Sequence, residues 1–264
     1  MNIGFIGSGN MGGAIIKAVA TQSSHTLYVY DKDTAKLNSL ANEYSVNAAE
    51  NIAEIVEKAQ VIFICVKPVA IAAVLQDIKN SPGYEMRTYV SIAAGVKVNI
   101  FTDALGEIQL VRTMPNLPAM VKEGFTVAYF HNMSEKYEMK AALMELFNMF
   151  GKAICVDSEK YVDKCISVTS SSPAYICMMI EAMADGAVKA GFARKDAIEM
   201  VLQSVYGTAK YLMETGMHPA ALKDAVCSPA GTTIEAVASL EESGFRASLI
   251  NAMERCEKKA EGKI

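Results

Sequence analysis

At 264 residues, 52% of them hydrophobic, the chain is long enough for one large domain or two modest ones and carries the apolar material for a sizeable core. Its formal charge of −4 excludes the strongly basic surface that nucleic-acid binding uses. The six cysteines, Cys65, Cys155, Cys165, Cys177, Cys227 and Cys256, form no C-x-x-C pair and sit mostly in apolar runs, so reduced thiols are expected instead of a disulfide frame or a zinc site.

The first strand begins almost at Met1, with no basic segment ahead of a long apolar run, so no secretory signal is expected. No stretch of about 18 residues lacks charged or polar breaks, which argues against a membrane-spanning helix and makes the cytoplasm the expected location. From Met1 to about Val156 short apolar runs alternate with helical patterns, the signature of βαβ units and a mainly parallel sheet. Strands are predicted at Asn2–Ile6, Thr26–Tyr30, Val61–Cys65, Thr88–Ser91, Gln109–Arg112, Phe125–Phe130 and near Ala153–Val156. Helices are predicted at Met11–Thr21, Thr34–Tyr44, Ala49–Lys58, Val69–Lys79, Val98–Leu105 and Ser134–Phe150. After about Asp157 strand signals disappear. Helices are expected over Ala174–Ala190, starting at Pro173 under a Ser172 cap and stopped by Gly191, and then over Arg194–Thr215, after Pro219, and over Thr233–Leu240 and Phe245–Glu261. The helix Ala174–Ala190 is apolar almost all round and is expected to be buried between subunits.

The most informative stretch is Ile6-Gly7-Ser8-Gly9-Asn10-Met11-Gly12, a G-x-G-x-x-G that follows a strand and opens a helix. Gly7 allows a tight turn, Gly9 lets the backbone approach a pyrophosphate, and Gly12 lets helix and strand pack closely. The helix amides then face the phosphates. Asp31 ends the next apolar strand, where an acid would hold an adenosine ribose; its charge favours NADH, and neighbouring Lys32 partly offsets it. Val66-Lys67-Pro68, Ala93-Ala94-Gly95 and Arg112-Thr113-Met114-Pro115-Asn116 each follow a strand, and are expected as loops on the edge where ligands sit in open α/β sheets.

In the second half, Ser228-Pro229-Ala230-Gly231-Thr232-Thr233-Ile234-Glu235 has a tight turn before a helix start, with Thr232 and Glu235 at capping-box spacing. Converging backbone amides there suit one anion such as a carboxylate, with the Thr233 hydroxyl left to face a ligand; an ordinary capped helix explains the spacing equally. Thr169 to Tyr175 reads as a hydroxyl-rich helix entry, and Glu181 with Asp185 as a partnered pair on an apolar helix. His25, His131 and His218 are scattered, so no metal is expected.

The run His218-Pro219-Ala220-Ala221-Leu222-Lys223-Asp224, then Val226-Cys227-Ser228-Pro229-Ala230-Gly231-Thr232-Thr233, Leu240-Glu241 and Gly244-Phe245-Arg246 resembles the signature of the pyrroline-5-carboxylate reductase family. Phe5 to Gly12, Val66-Lys67-Pro68, Ser91 to Val96 and Arg112 to Asn116 are similar to the family too, so the resemblance spans essentially the whole chain. Ser170 stands where glycine is usual, and Ala230 where the turn usually has Gly-Gly; both bear on loop geometry. The resemblance implies an α/β fold: a Rossmann-like dinucleotide-binding domain over 1–157, and an all-α domain over 158–264 that binds substrate and interlocks two subunits, with dimers assembling further into decamers. It implies substrate binding by Ser228, Ala230, Gly231, Thr232 and Thr233, with Thr233 reaching the ring nitrogen and Ser228 beside it as catalytic groups. The cofactor, NADPH or NADH, is expected against Ile6, Gly7, Ser8, Gly9, Asn10, Met11, Gly12, Asp31, Lys32, Asn51, Val66, Lys67, Pro68, Ala93, Ala94 and Gly95. The reaction implied is hydride transfer to the imine of 1-pyrroline-5-carboxylate, giving L-proline. A β-hydroxyacid dehydrogenase is the rival by architecture, but its K-x-x-N pattern is missing; a nucleotide sensor without catalysis is the rival from another class.

Overall fold

The computed structural model describes residues 1–262. The strands are β1 (Asn2–Ile6), β2 (Thr26–Tyr30), β3 (Asn47–Ala48), β4 (Val61–Ile64), β5 (Thr88–Ser91), β6 (Gln109–Met114), β7 (Gly124–His131) and β8 (Gly151–Val156). They form one sheet in the order β3-β2-β1-β4-β5-β6-β7-β8, parallel except between β6 and β7. Helices α1 (Asn10–Gln22), α2 (Thr34–Tyr44), α3 (Ile52–Lys58), α4 (Ile71–Lys79), α5 (Val98–Leu105) and α6 (Tyr137–Asn148) connect them. The two-residue β3 carries no periodic signal and was not expected. The β6–β7 connection holds only a short 3-10 turn, Leu117–Val121, which is too little chain for a parallel crossover.

The sheet has a core on each face. In β4, Val61 and Phe63 join Phe5, Ile15, Val19 and Phe147 on one side, while Ile62 and Ile64 join Ile55, Leu75, Tyr89 and Phe101 on the other. A strand buried on both faces gives the continuous apolar run seen in the sequence. Phe5 and Phe63 stack at 4.9 Å on neighbouring strands.

The chain divides into two compact units, 1–170 joined by 257–262, and Ser171–Cys256. The division falls beyond the expected 157/158 boundary because α7 (Lys160–Cys165) and the π-helical turn Ile166–Ser170 follow β8. Val162 and Cys165 of α7 pack against Met114 of β6 and Val127 of β7.

The second unit is helical: α8 (Ser172–Lys189), α9 (Arg194–Thr215), α10 (Pro219–Val226), α11 (Thr232–Glu242) and most of α12 (Phe245–Ala260). The N-cap position of α8 falls on Ser171, one residue before the expected Ser172. Ser172 is itself the first helical residue, and the Oγ of Ser171 before it lies 3.2 Å from Cys256 Sγ. Gly191, at φ +103°, closes α8 as expected. Ala184 packs on Ala197 and Val201 of α9, and Asp185 pairs with Arg194 at 2.6 Å. Within one chain α8 buries only this narrow face; Met178 is 70% exposed.

One polar cluster fastens α7 to the sheet. Arg112, the last residue of the predicted strand, lies inside β6, which runs on to Met114, and is 1% exposed. Its Nη1 donates to Glu159 Oε1 at 2.9 Å and its Nη2 pairs with Asp163 Oδ1. Glu159 Oε1 also accepts from the Val98 amide at 2.8 Å, where α5 begins. Removing the guanidinium strands two carboxylates that retain some solvent contact. Arg112→Ala is expected to lower unfolding free energy by about 3 kcal/mol, the low end for breaking a buried pair. Urea denaturation with an unchanged midpoint would contradict this.

Candidate active site

The strand order turns back at β1, between β2 and β4, and the carboxyl ends of these parallel strands carry the loops singled out in the sequence. Ile6 is the buried last residue of β1, and Gly7 follows at φ +99°, a conformation that favours glycine. A Cβ on Gly7 would meet the Cys65 carbonyl oxygen at 2.8 Å and Val66 Cγ1 at 3.1 Å, so the turn lies against the end of β4. A Cβ on Gly12 would meet the Gly7 carbonyl oxygen at 2.6 Å, so α1 sits tightly on the turn it leaves.

Gly9 differs. Its φ of −60° suits any residue, and a Cβ there would have nothing within 4 Å. No protein contact requires glycine at this position, and the backbone there is open to a ligand. Gly9 is the N-cap of α1, and neither a capping side chain nor an acidic residue in the first turn neutralises that helix start. The amides of Asn10, Met11 and Gly12 there lack intrahelical acceptors. The site therefore fits a dinucleotide pyrophosphate.

Asp31 is drawn to this turn. Its Oδ2 accepts from the Ser8 amide at 2.5 Å and the Ser8 hydroxyl at 2.7 Å, and its Oδ1 from the Asp33 amide at 2.9 Å. Burial works against its charge, but these hydrogen bonds, with help from Lys36, hold its carboxyl below the ordinary carboxylate range. Lys32 is exposed. Ser8, Gly9 and Asn10 line a cleft of about 310 Å³ together with Lys36 and Tyr44. Val66, Lys67 and Pro68 follow β4, and Ala93, Ala94 and Gly95 follow β5, as expected. Asn51 caps α3, its Oδ1 accepting from the Glu54 amide at 3.0 Å, which also delays that helix from Ala49 to Ile52.

Arg112, Thr113 and Met114 are buried strand residues and do not form an edge loop. Asn116 is a staple: it accepts from the Phe125 amide at 2.7 Å and donates to the Thr169 carbonyl at 2.8 Å. Neither that role nor the Ser8–Asp31 link has a spacing signature.

In the second unit, Ser228–Gly231 is a tight turn closed by the Gly231 amide on the Ser228 carbonyl at 3.0 Å. Pro229 and a positive φ at Ala230, +56°, are the marks of a type II turn. Ala230 thus keeps the left-handed backbone that glycine adopts freely. The capping box does not form. Gly231, with extended dihedrals, is the N-cap of α11 and has no side chain to cap with, so Thr232 and Thr233 are its first two residues. A Cβ on Gly231 would lie 2.3 Å from Ser228 Oγ, so glycine here makes room for that hydroxyl. Helix geometry leaves the Thr232, Thr233 and Ile234 amides without intrahelical acceptors. Thr233 lines a cleft of about 490 Å³ with Thr208, Tyr211 and Lys223. Among the described residues no group of three or more His, Cys, Asp or Glu is placed to hold a metal, and no helix is long and apolar enough to cross a membrane.

A doubly wound sheet with a G-x-G-x-x-G turn at its switch point, followed by a helical unit with a tight turn at a helix start, points to the class of dinucleotide-dependent oxidoreductases. Comparison with known proteins narrows this. Residues 159–263 match the family model for pyrroline-5-carboxylate reductase dimerisation, and residues 2–95 match that for NADP oxidoreductase, coenzyme F420-dependent. The chain is 43% identical to pyrroline-5-carboxylate reductase of Escherichia coli strain K12 across 98% of its own length and 97% of that protein. It is 39% identical to the Methanosarcina acetivorans enzyme, covering 98% and 96%. A solved pyrroline-5-carboxylate reductase from Coxiella burnetii superposes with a TM-score of 0.94 at 28% identity, covering 99% and 98%. The Plasmodium falciparum enzyme, solved with NADP bound, gives 0.86 at 26% identity, covering 100% and 98%. The chain belongs to the pyrroline-5-carboxylate reductase family.

Two outcomes are expected here. Gly9→Val should fold with wild-type thermal stability yet lose NADH and NADPH affinity by about tenfold or more by calorimetry, whereas Gly12→Ala should melt lower. Ala230→Gly relieves about 1–2 kcal/mol of left-handed strain against about 0.5–1 kcal/mol of added chain entropy, so a net gain centred on about 0.75 kcal/mol, and no more than about 1.5 kcal/mol, should appear in urea denaturation.

Proposed function

We propose that this chain reduces 1-pyrroline-5-carboxylate to L-proline with NADPH or NADH, the nucleotide held by residues within 1–157 and the substrate by the Ser228–Thr233 turn within 158–264. The supporting observation is the uncapped start of α11 behind a turn held left-handed at Ala230. A strained residue persists where the surrounding structure demands that backbone, and such places cluster at ligand sites.

In this reading the substrate carboxylate accepts hydrogen bonds from the Thr232 and Thr233 amides and the Ser228 hydroxyl. The Gly231 amide is already bonded to Ser228, so Gly231 and Ala230 contribute shape. The protonated ring nitrogen donates to Thr233 Oγ1, which fixes the face of the imine. A protonated imine is already electrophilic, so the chain's task is positioning, not supplying a strong acid. When bound, the reduced nicotinamide supplies the hydride. On the nucleotide side, the turn from Ile6 to Gly12 takes the pyrophosphate, Asp31 and Lys32 face the ribose, and Asn51, Val66–Pro68 and Ala93–Gly95 border the rest.

We further infer a dimer built through α8 and α9, supported by exposed Met178, Met183, Leu202 and Tyr206, with decamers as the larger assembly. Six free cysteines support a cytoplasmic setting.

The test is Thr233→Ala. Because Thr233 does not cap α11, folding should survive. Loss of one hydrogen bond to a charged group, about 1.5–3 kcal/mol, should lower kcat/KM for pyrroline carboxylate roughly tenfold to a hundredfold, with nucleotide affinity unchanged and Thr233→Ser retaining more activity. Near wild-type kcat/KM in Thr233→Ala would defeat the assignment.

A further inference from the structure

We propose that Asp31, held in place by Ser8, makes the nucleotide site selective for an unphosphorylated adenosine ribose, so that this chain takes NADH in preference to NADPH. The proposal rests on the glycine turn being the pyrophosphate site, and it separates this chain from its Plasmodium falciparum neighbour, which was solved with NADP.

Asp31 directly follows β2, the strand beside β1, and so stands at the same sheet edge as the glycine turn. Both of its oxygens are engaged. Ser8, only 3% exposed, gives Oδ2 its amide and its hydroxyl proton, and Asp33 gives Oδ1 its amide. A carboxylate has about four acceptor positions, and three are filled. One position on Oδ1 remains, which suits a single hydroxyl donor.

A ribose 2′-hydroxyl can supply that proton. A 2′-phosphate is an acceptor carrying roughly −1.5 to −2 charges, and would meet a carboxylate that cannot swing away because three donors pin it. The hydroxyl of Ser8 cannot compensate, since its one proton already points at Asp31. The nearby cations do not reverse the balance. Lys32 and Lys36 are exposed. Lys36 is already attracted to Asp31, and a second acid, Asp33, stands among them as the cap of α2. Across residues 31 to 36 two acids face two bases, and the fixed, partly buried charge is the negative one.

Direct binding to the full-length protein tests this independently of catalysis. Calorimetric titration with NADH and with NADPH should show NADH bound at least about tenfold more tightly. Asp31→Asn keeps an acceptor for Ser8 but removes the charge, and should bring the two affinities within about threefold, chiefly by tightening NADPH. Wild-type protein offers a second readout needing no variant. Salt screens like-charge repulsion, so the ratio of the NADPH to the NADH dissociation constant should fall as salt rises. Equal affinity in the wild type, an unchanged ratio in Asp31→Asn, or a ratio that climbs with salt would each overturn the proposal; the last would show Lys32 and Lys36 attracting the phosphate. If pyrroline carboxylate is still reduced in those cases, the proposed reaction stands and only the selectivity fails. A wild type that binds neither nucleotide removes both.

Discussion

The close approach of backbone to backbone at the sheet's switch point is the constraint on which the first unit depends. Two missing side chains create it. Gly7 turns within contact of the Cys65 carbonyl, and Gly12 brings α1 within 2.6 Å, measured from an added Cβ, of the Gly7 oxygen. Together they seat a helix N-terminus directly over the ends of β1 and β4. A Cβ on Gly9, by contrast, would meet nothing within 4 Å. Three glycines within six residues thus meet different surroundings, two packed against backbone and one open. Only the structure separates them.

The second unit meets a different constraint, too little core. In α8 a single residue, Ala184, is buried by the chain itself, and large apolar side chains of α8 and α9 face outward. An exposed set of that size is an interaction surface, and the match of residues 159–263 to a dimerisation model accounts for it. The all-round apolarity of α8 in the sequence therefore described the assembled protein more than the single chain.

What was legible in the sequence follows from what leaves a periodic or glycine signal. The parallel sheet was readable because strands buried on both faces are continuous apolar runs, and α1 because glycines flank its start. The antiparallel β6–β7 pair, the short β3 and α7 were not. Their existence depends on connection length and on tertiary partners such as Arg112, whose buried ion pairs join residues 47 and 51 positions apart. The same limit applies at the turn before α11. Thr232 and Glu235 have capping-box spacing, yet Gly231 takes the N-cap position, because the type II turn places its extended backbone there. Spacing showed that a helix begins; it did not show which residue caps it.

The starts of α1 and α11 both lack a side-chain cap, though α11 carries Glu235 in its first turn and α1 has no acid there. Asp33 and Asn51 satisfy first-turn amides of α2 and α3 with their side chains. Both α1 and α11 instead have glycine at the N-cap and no side-chain bond there. A glycine cap costs little in stability and leaves amides directed outward with the positive end of the helix dipole behind them. Such a helix start can stabilise an anion with neutral backbone amides. For a molecule that carries a carboxylate on the same small ring as a protonated imine, neutral amides at the anion and a neutral hydroxyl at the nitrogen satisfy both charges at once. Under the proposed function, that requirement would account for the Ser, Thr and Gly between Ser228 and Thr233 and for the lack of acid or base among those six residues.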